Sequence, residues 1–214
     1  MDVLINPRRR TVRGDDEPII IPQTEAPAYF EWILWRAFLA IDSLVNKPYA
    51  ARRFKIDHEF LPVGTAPGNG PDLIFEFEDF VVVVEVTLTE SSRQEAAEGE
   101  PVRRHVAELA MQYEKPVYGM FLANRIDSNT AETFRIGVWY TRDDTRMRLD
   151  IIPFTLAQFK AFFEAMFTSR NVRVAAIRDL LDTCGTLRQN LHAPEWKAEI
   201  AQTVQAKAAS LNRS

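Results

Sequence analysis

Pro71-Asp72-Leu73-Ile74-Phe75-Glu76-Phe77-Glu78-Asp79-Phe80-Val81-Val82-Val83-Val84-Glu85-Val86-Thr87 reads as a tight β-hairpin. Two apolar-rich runs, 73–77 and 80–86, flank the acidic pair Glu78-Asp79, where the turn is centred. With that centre the numbers of opposed residues add to 157, so Phe77 faces Phe80, Phe75 faces Val82, and Asp72 faces Glu85. Opposed side chains have Cβ atoms about 5 Å apart, and like charges placed there repel. Two carboxylates are held in that position most readily when a divalent cation sits between them. A hard cation such as Mg²⁺ takes oxygen ligands, commonly one or two carboxylates with water and phosphate supplying the rest. The pattern points to a metal-dependent site that cleaves phosphodiesters.

The competing reading is a surface hairpin whose acidic strand ends are simply solvated, as Glu76, Glu78 and Asp79 are expected to be. Against it, residues 81–84 are apolar on both faces, as in a strand covered on both sides. Glu85 is therefore expected at the end of a core strand.

The chain has 214 residues, enough for one domain with a substantial core. Cys184 is the only cysteine, so no intrachain disulfide forms, and a cytoplasmic setting is expected. No segment approaches the roughly 20 apolar residues of a membrane span, and no signal-peptide core is visible at the N-terminus. The formal net charge is −4, and only six of the cations are lysine. Strong autonomous DNA binders carry a basic footprint, so any DNA contact here is expected to be local or assisted by a partner.

Residues 1–25 read as a polar arm bearing Arg8, Arg9, Arg10 and Arg13, and residues 26–214 as the domain proper. Helical periodicity over 27–45 comes from Tyr29, Phe30, Ile33, Leu34, Ala37, Phe38, Ile41 and Leu44, with Glu31 and Trp35 on a neighbouring stripe. Residues 47–71 look irregular and end in a Gly/Pro-rich loop that delivers Asp72. Residues 89–100 read as a polar loop, and Pro101 as the first residue of a helix over 101–114. Strands are expected at 117–123, 134–140 and 146–153, then helices at 155–168, 172–183 and 195–211. That order implies an α/β protein with a mixed central sheet flanked by helices, plus extra C-terminal helices that either complete the core or dock a partner.

Glu98 lies thirteen positions after Glu85, and His105 borders the apolar stripe of the 101–114 helix. Glu98 reads either as a member of the same cleft or as an ordinary loop carboxylate. A lone histidine at the His105 position is more often a satisfied boundary residue than a catalytic one, and Glu31 has a similar status. His58, His105 and His192 are too scattered for a zinc site. Phosphate-binding and dinucleotide-binding glycine motifs are absent, as is a serine-hydrolase elbow.

The Pro71-Asp72 and Glu85 pattern resembles the PD-(D/E)XK nuclease superfamily. The longer run from Thr65 to Asp72, through Glu85-Val86-Thr87-Leu88-Thr89-Glu90, to residues 93–105 is similar to the cleavage domain of AlwI-like type IIS restriction and nicking endonucleases. The resemblance covers roughly residues 26–170 and implies a restriction-endonuclease-like core. It also implies that Asp72, Glu85 and the backbone carbonyl of Val86 are metal ligands, with Glu31, Glu98 and His105 at the remaining active-site positions. The sequence departs from the wider superfamily at the lysine, where Thr87 stands, leaving Arg93, Gln94 or His105 as candidate replacements. The resemblance implies Mg²⁺ as cofactor, with Mn²⁺ as a substitute, and duplex DNA as substrate. It further implies a larger DNA-recognising endonuclease subunit as partner, because only about 25 polar residues precede the first helix. The expected function is that of the small cleavage subunit, or an excised catalytic domain, nicking one strand near a site its partner reads. The alternatives are a nuclease-fold subunit that cuts nothing, and an RNA nuclease.

Overall fold

The hairpin centred on Glu78-Asp79 is present in the predicted register. Leu73 pairs with Val84, Ile74 with Val83, Phe75 with Val82, and Glu76 with Val81. Phe77 N–H donates to Phe80 O at 2.9 Å, and the two rings stack with centroids 4.8 Å apart. The computed structural model describes residues 1, 11–13, 18–21, 23–89, 93–169 and 172–213. In chain order the elements are β1 (Thr11–Arg13), β2 (Pro18–Ile20), α1 (Ala26–Leu39), β3 (Leu73–Glu76), β4 (Val81–Thr87), α2 (Gln94–Ala110), β5 (Val117–Ala123), α3 (Ser128–Ile136), β6 (Val138–Tyr140), β7 (Arg146–Arg148), β8 (Asp150–Thr155), α4 (Leu156–Thr168), α5 (Val174–Leu187) and α6 (Ala193–Leu211). Short 3-10 turns precede α1 and follow α5. In the N-terminal stretch read as an arm, β1 and β2 pair antiparallel, while Arg8, Arg9 and Arg10 lie outside the described residues.

The central sheet has the order β3-β4-β5-β8. β3 runs antiparallel to β4, whereas β4, β5 and β8 are mutually parallel, so the sheet is mixed as expected. β4 is an inner strand, and Val81, Val82, Val83 and Val84 are all fully buried. One face carries α1 and the C-terminal helices: Phe38 stacks on Phe75 at 4.0 Å and meets Phe163 at 5.2 Å, and Phe159 stacks on Phe163 at 4.1 Å. Burying each such ring contributes about 1.5–3 kcal/mol. The other face carries α2 and α3, with Phe121 against Phe134 at 5.1 Å. A Cβ at Gly119 would lie 2.8 Å from Val106 Cγ2 and 2.9 Å from Ile151 Cγ1, so α2 approaches β5 only because position 119 has no side chain. The C-terminal helices complete the core, burying Ile177, Leu180, Leu181, Cys184, Trp196, Ile200 and Val204. Among the described residues no helix is long and apolar enough to cross a membrane.

Four elements differ from the periodicity reading. α1 stops at Leu39, not near 45, because Asp42 takes a positive φ of 54° and the chain turns back onto the edge of β3. There Val45 N–H donates to Glu76 O, and the Asn46 amide bonds both Ile74 O and Glu76 N–H. α2 begins at Gln94, not at Pro101, which lies inside the helix. A proline there removes one helical hydrogen bond, but the buried Gln94 amide pins the N-terminal end to Thr89 O, Arg125 O and Asp127 N–H. Residues 134–136 are helical rather than extended: Asp127 caps α3 at Asn129 and Thr130, and Gly137 closes it with a φ of 53°. The expected strand over 146–153 is two strands. β7 pairs with β6 in a separate hairpin, and β8 joins the sheet. Pro153 is tolerated because β8 is an edge strand.

Candidate active site

Register and burial bring the five sequence-predicted side chains to the carboxyl end of β4. Leu73 opposite Val84 puts Asp72 opposite Glu85. Asp72 Oδ2 accepts the N–H of Val86 at 2.9 Å, tying the start of β3 to the end of β4. Glu85 is 7% exposed and pairs with Phe121 on the face covered by α2. From that helix His105, 4% exposed, brings its Nδ1 to 2.7 Å from Glu85 Oε1. Its Nε2 is buried and makes no hydrogen bond. Glu31 enters from α1, 3% exposed, and its Oε2 accepts the N–H of Ala66 at 2.8 Å. Glu98 sits near the start of α2, not in the expected polar loop, and is hydrogen-bonded by the Thr87 hydroxyl.

Burial raises every carboxyl in the group, because a charged oxygen loses its hydration there. Asp72 is pushed up to about 7 by burial and by the neighbouring charge of Glu85, against the opposing N–H of Val86. Glu31 rises to about 8 through burial and the charge of Asp72. Glu85 moves well above the usual carboxylate range, chiefly by burial, and Glu98 moves up for the same reason. His105 moves down, through burial and then the charge of Arg104. Burial thus drives Glu85 and His105 toward their neutral forms, while their 2.7 Å contact pulls the other way. One proton between Nδ1 and Oε1 maintains the contact in either case. Among the described residues no three His, Cys, Asp or Glu side chains form a metal-binding group. Any hard cation here would rest on two carboxylates and main-chain oxygen.

These shifts set a pH dependence of folding. Asp72 and Glu31 have ordinary values of 3.8 and 4.5, so above those values the folded chain keeps protons that the unfolded chain has released. Stability therefore falls as the pH rises toward and through about 7 to 8. The Asp72 shift corresponds to at most on the order of 4 kcal/mol. His105, lowered from 6.5, opposes the trend only below that pH. In EDTA the melting temperature is expected to drop between pH 6.5 and 8.5 and to recover with millimolar Mg²⁺; calorimetry showing a flat profile in EDTA would contradict the buried-acid assignment.

Several features escape periodicity. Gln94, a candidate replacement for the missing lysine, spends its whole amide on backbone groups that anchor α2. Thr87 is buried, accepts the N–H of Thr89 and donates to Glu98. Arg104 places positive charge near Glu85, and Arg53 places it near His105 from the irregular 47–71 stretch, where no regular spacing could single it out.

The crystal structure of the small subunit (R.BspD6I2) of the heterodimeric restriction endonuclease R.BspD6I matches the fold with a TM-score of 0.68 at 26% sequence identity. The match covers 85% of this chain and 90% of that one. No curated protein matches the sequence. The sequence profile of the AlwI restriction endonuclease matches residues 1–162, a span that includes Glu31, Asp72, Glu85, Glu98 and His105. The chain belongs to the AlwI restriction endonuclease family.

Proposed function

We propose that the chain is the catalytic subunit of a type IIS-like endonuclease that uses Mg²⁺ to hydrolyse a phosphodiester bond in one strand of duplex DNA. A larger partner subunit reads the site near which it cuts. The observation that carries this reading is the buried pair Asp72 and Glu85, opposed across one hairpin. Among the described residues neither carboxylate is ion-paired to a lysine or arginine. Family membership supports the nuclease chemistry, and the heterodimer named for the structural neighbour supports the partner.

The oxygen-only donor set of Asp72, Glu85 and the Val86 carbonyl suits a hard cation, Mg²⁺ or in its place Mn²⁺. A cation held there would supply Lewis-acid chemistry, polarising the phosphate and lowering the pKa of a water molecule. His105 holds Glu85 in one rotamer through the Nδ1–Oε1 contact. Glu98 is held by Thr87 and, with its carboxyl raised by burial, is suited to take a proton from the attacking water. Glu31, fixed by Ala66 N–H and pushed up to about 8 by burial and the charge of Asp72, would add negative charge at the site only once a bound cation favoured its ionised form.

The direct test is a nicking assay on supercoiled DNA with both subunits, with Mg²⁺ and with EDTA. Strand cleavage that persists in EDTA, or none in any divalent cation, rejects the reading. Glu98→Gln is expected to lower turnover at least about tenfold with DNA affinity unchanged; an unchanged rate returns Glu98 to the role of a solvated acid. His105→Ala frees the Glu85 rotamer and is expected to raise the cation concentration needed for half-maximal rate. An unshifted Mg²⁺ titration would leave His105 a packing residue.

A further inference from the structure

Arg53 has a neighbourhood unlike that of the other cations around the cleft. An isolated antiparallel bridge joins Arg52 to Leu73, and Ile74 N–H donates to Ala51 O at 3.0 Å. Residue 53 is thereby the cross-strand neighbour of Asp72, on the side opposite Glu85. Arg53 is half-buried, and its guanidinium donates through Nη2 to Asn69 Oδ1 at 2.7 Å in an exposed contact. It also lies over Gly70, where an added Cβ would fall 1.8 Å from Nη1. Only an absent side chain at position 70 leaves that perch open. Among the described residues no carboxylate forms an ion pair with Arg53, whose side-chain partner is the neutral Asn69 amide.

The neighbouring arginines are engaged elsewhere. Arg52 is stacked against Trp35 and Phe54, its Nη1 donating to Phe54 O. Arg104 is shared between Glu100 at 3.2 Å and Glu108 at 3.9 Å. A cation positioned by a neutral amide keeps its charge available, and the planar fork of arginine matches two oxygens of a phosphate. An acidic cleft repels a phosphodiester unless a fixed positive group meets it.

We propose that Arg53 is the substrate-gripping residue of this site, its guanidinium, perched over Gly70 beside Asp72, binding the non-bridging oxygens of the DNA phosphodiester presented to Asp72 and Glu85. This rests on the nuclease reading above. The experiment measures single-turnover cleavage by the two-subunit complex with Mg²⁺, using Arg53→Ala, Arg53→Lys, Gly70→Ala and the Arg53→Ala/Gly70→Ala double variant, with Glu85→Gln as the inert reference. Arg53→Ala is expected to slow cleavage about a hundredfold, and Arg53→Lys to recover part of that. Gly70→Ala, which displaces only the flexible end of Arg53, is expected to reproduce most of the loss with an unchanged melting temperature. The double variant is expected to be no slower than Arg53→Ala, since both changes remove one contact. Wild-type rates in Arg53→Ala, or losses that multiply in the double variant, overturn the proposal. Should Arg53→Ala fail to fold, Gly70→Ala and Arg53→Lys decide it by the same criteria. A wild-type complex inert in every cation instead overturns the nuclease reading and takes this proposal with it.

Discussion

Asp72→Asn and Glu85→Gln are each expected to abolish strand cleavage, by about 10³-fold or more, while leaving the fold intact. Both substitutions keep the shape of the side chain. In Asp72→Asn an amide oxygen still accepts the N–H of Val86, and in Glu85→Gln an amide oxygen still meets His105 Nδ1. What they remove is the charge needed to hold a divalent cation. The same variants are expected to be more stable than the wild type in EDTA above pH 7, because a neutral amide does not bear the burial and repulsion that push Asp72 up to about 7. A gain of 1 kcal/mol would raise the melting temperature by about 2–4 °C in a chain of this size. Loss of activity with increased stability separates a functional carboxylate from a structural one. A variant that loses both activity and stability in EDTA would count against the cation role.

The second large effect is dependence on a partner. The purified chain alone is expected neither to select a DNA sequence nor to cut efficiently, and cleavage of one defined strand is expected only when the large subunit is added. Reading base edges requires an element that enters a groove with several Arg, Asn or Gln side chains. In the helices of the sheet layers, the described buried faces are committed to the core. The net charge of −4 offers little of the phosphate attraction that supplies most non-specific affinity. Gel-shift titration and nicking assays with and without the partner measure this directly. Site-specific cleavage by the 214-residue chain on its own would refute it.

Local order in the sequence was sufficient for the hairpin. Its turn at Glu78-Asp79, its register and the opposition of Asp72 to Glu85 all follow from alternating side chains and an acidic tip, which are nearest-neighbour properties. The buried valine run marked β4 as an inner strand, and the apolar spacing of residues 155–168 and 195–211 marked α4 and α6 to within a few residues. Some local signals were legible but competed with others. Asp127 and Gly137 are a cap pair that specify α3, yet the apolar ends of that segment read as a strand.

Tertiary contacts decided the rest. Gln94 starts α2 because its amide is satisfied by residues 31 and 33 positions further along, and this overrides the signal of Pro101. The end of α1 was set by the unpaired edge of β3, which Val45 and Asn46 satisfy. Bringing Glu31 to Asp72 requires α1 and the 47–71 loop to close on the hairpin, as the Ala66 N–H contact does. Placing His105 on Glu85 depends on α2 crossing β5 at Gly119. Arg53 has no periodicity to mark it, and only the bridge beside β3 and the space above Gly70 make it a neighbour of the acids. Strand register is a short-range property and was encoded in the sequence locally; the gathering of one cluster from α1, a loop, a hairpin and α2 is a property of packing, and only the folded chain specifies it.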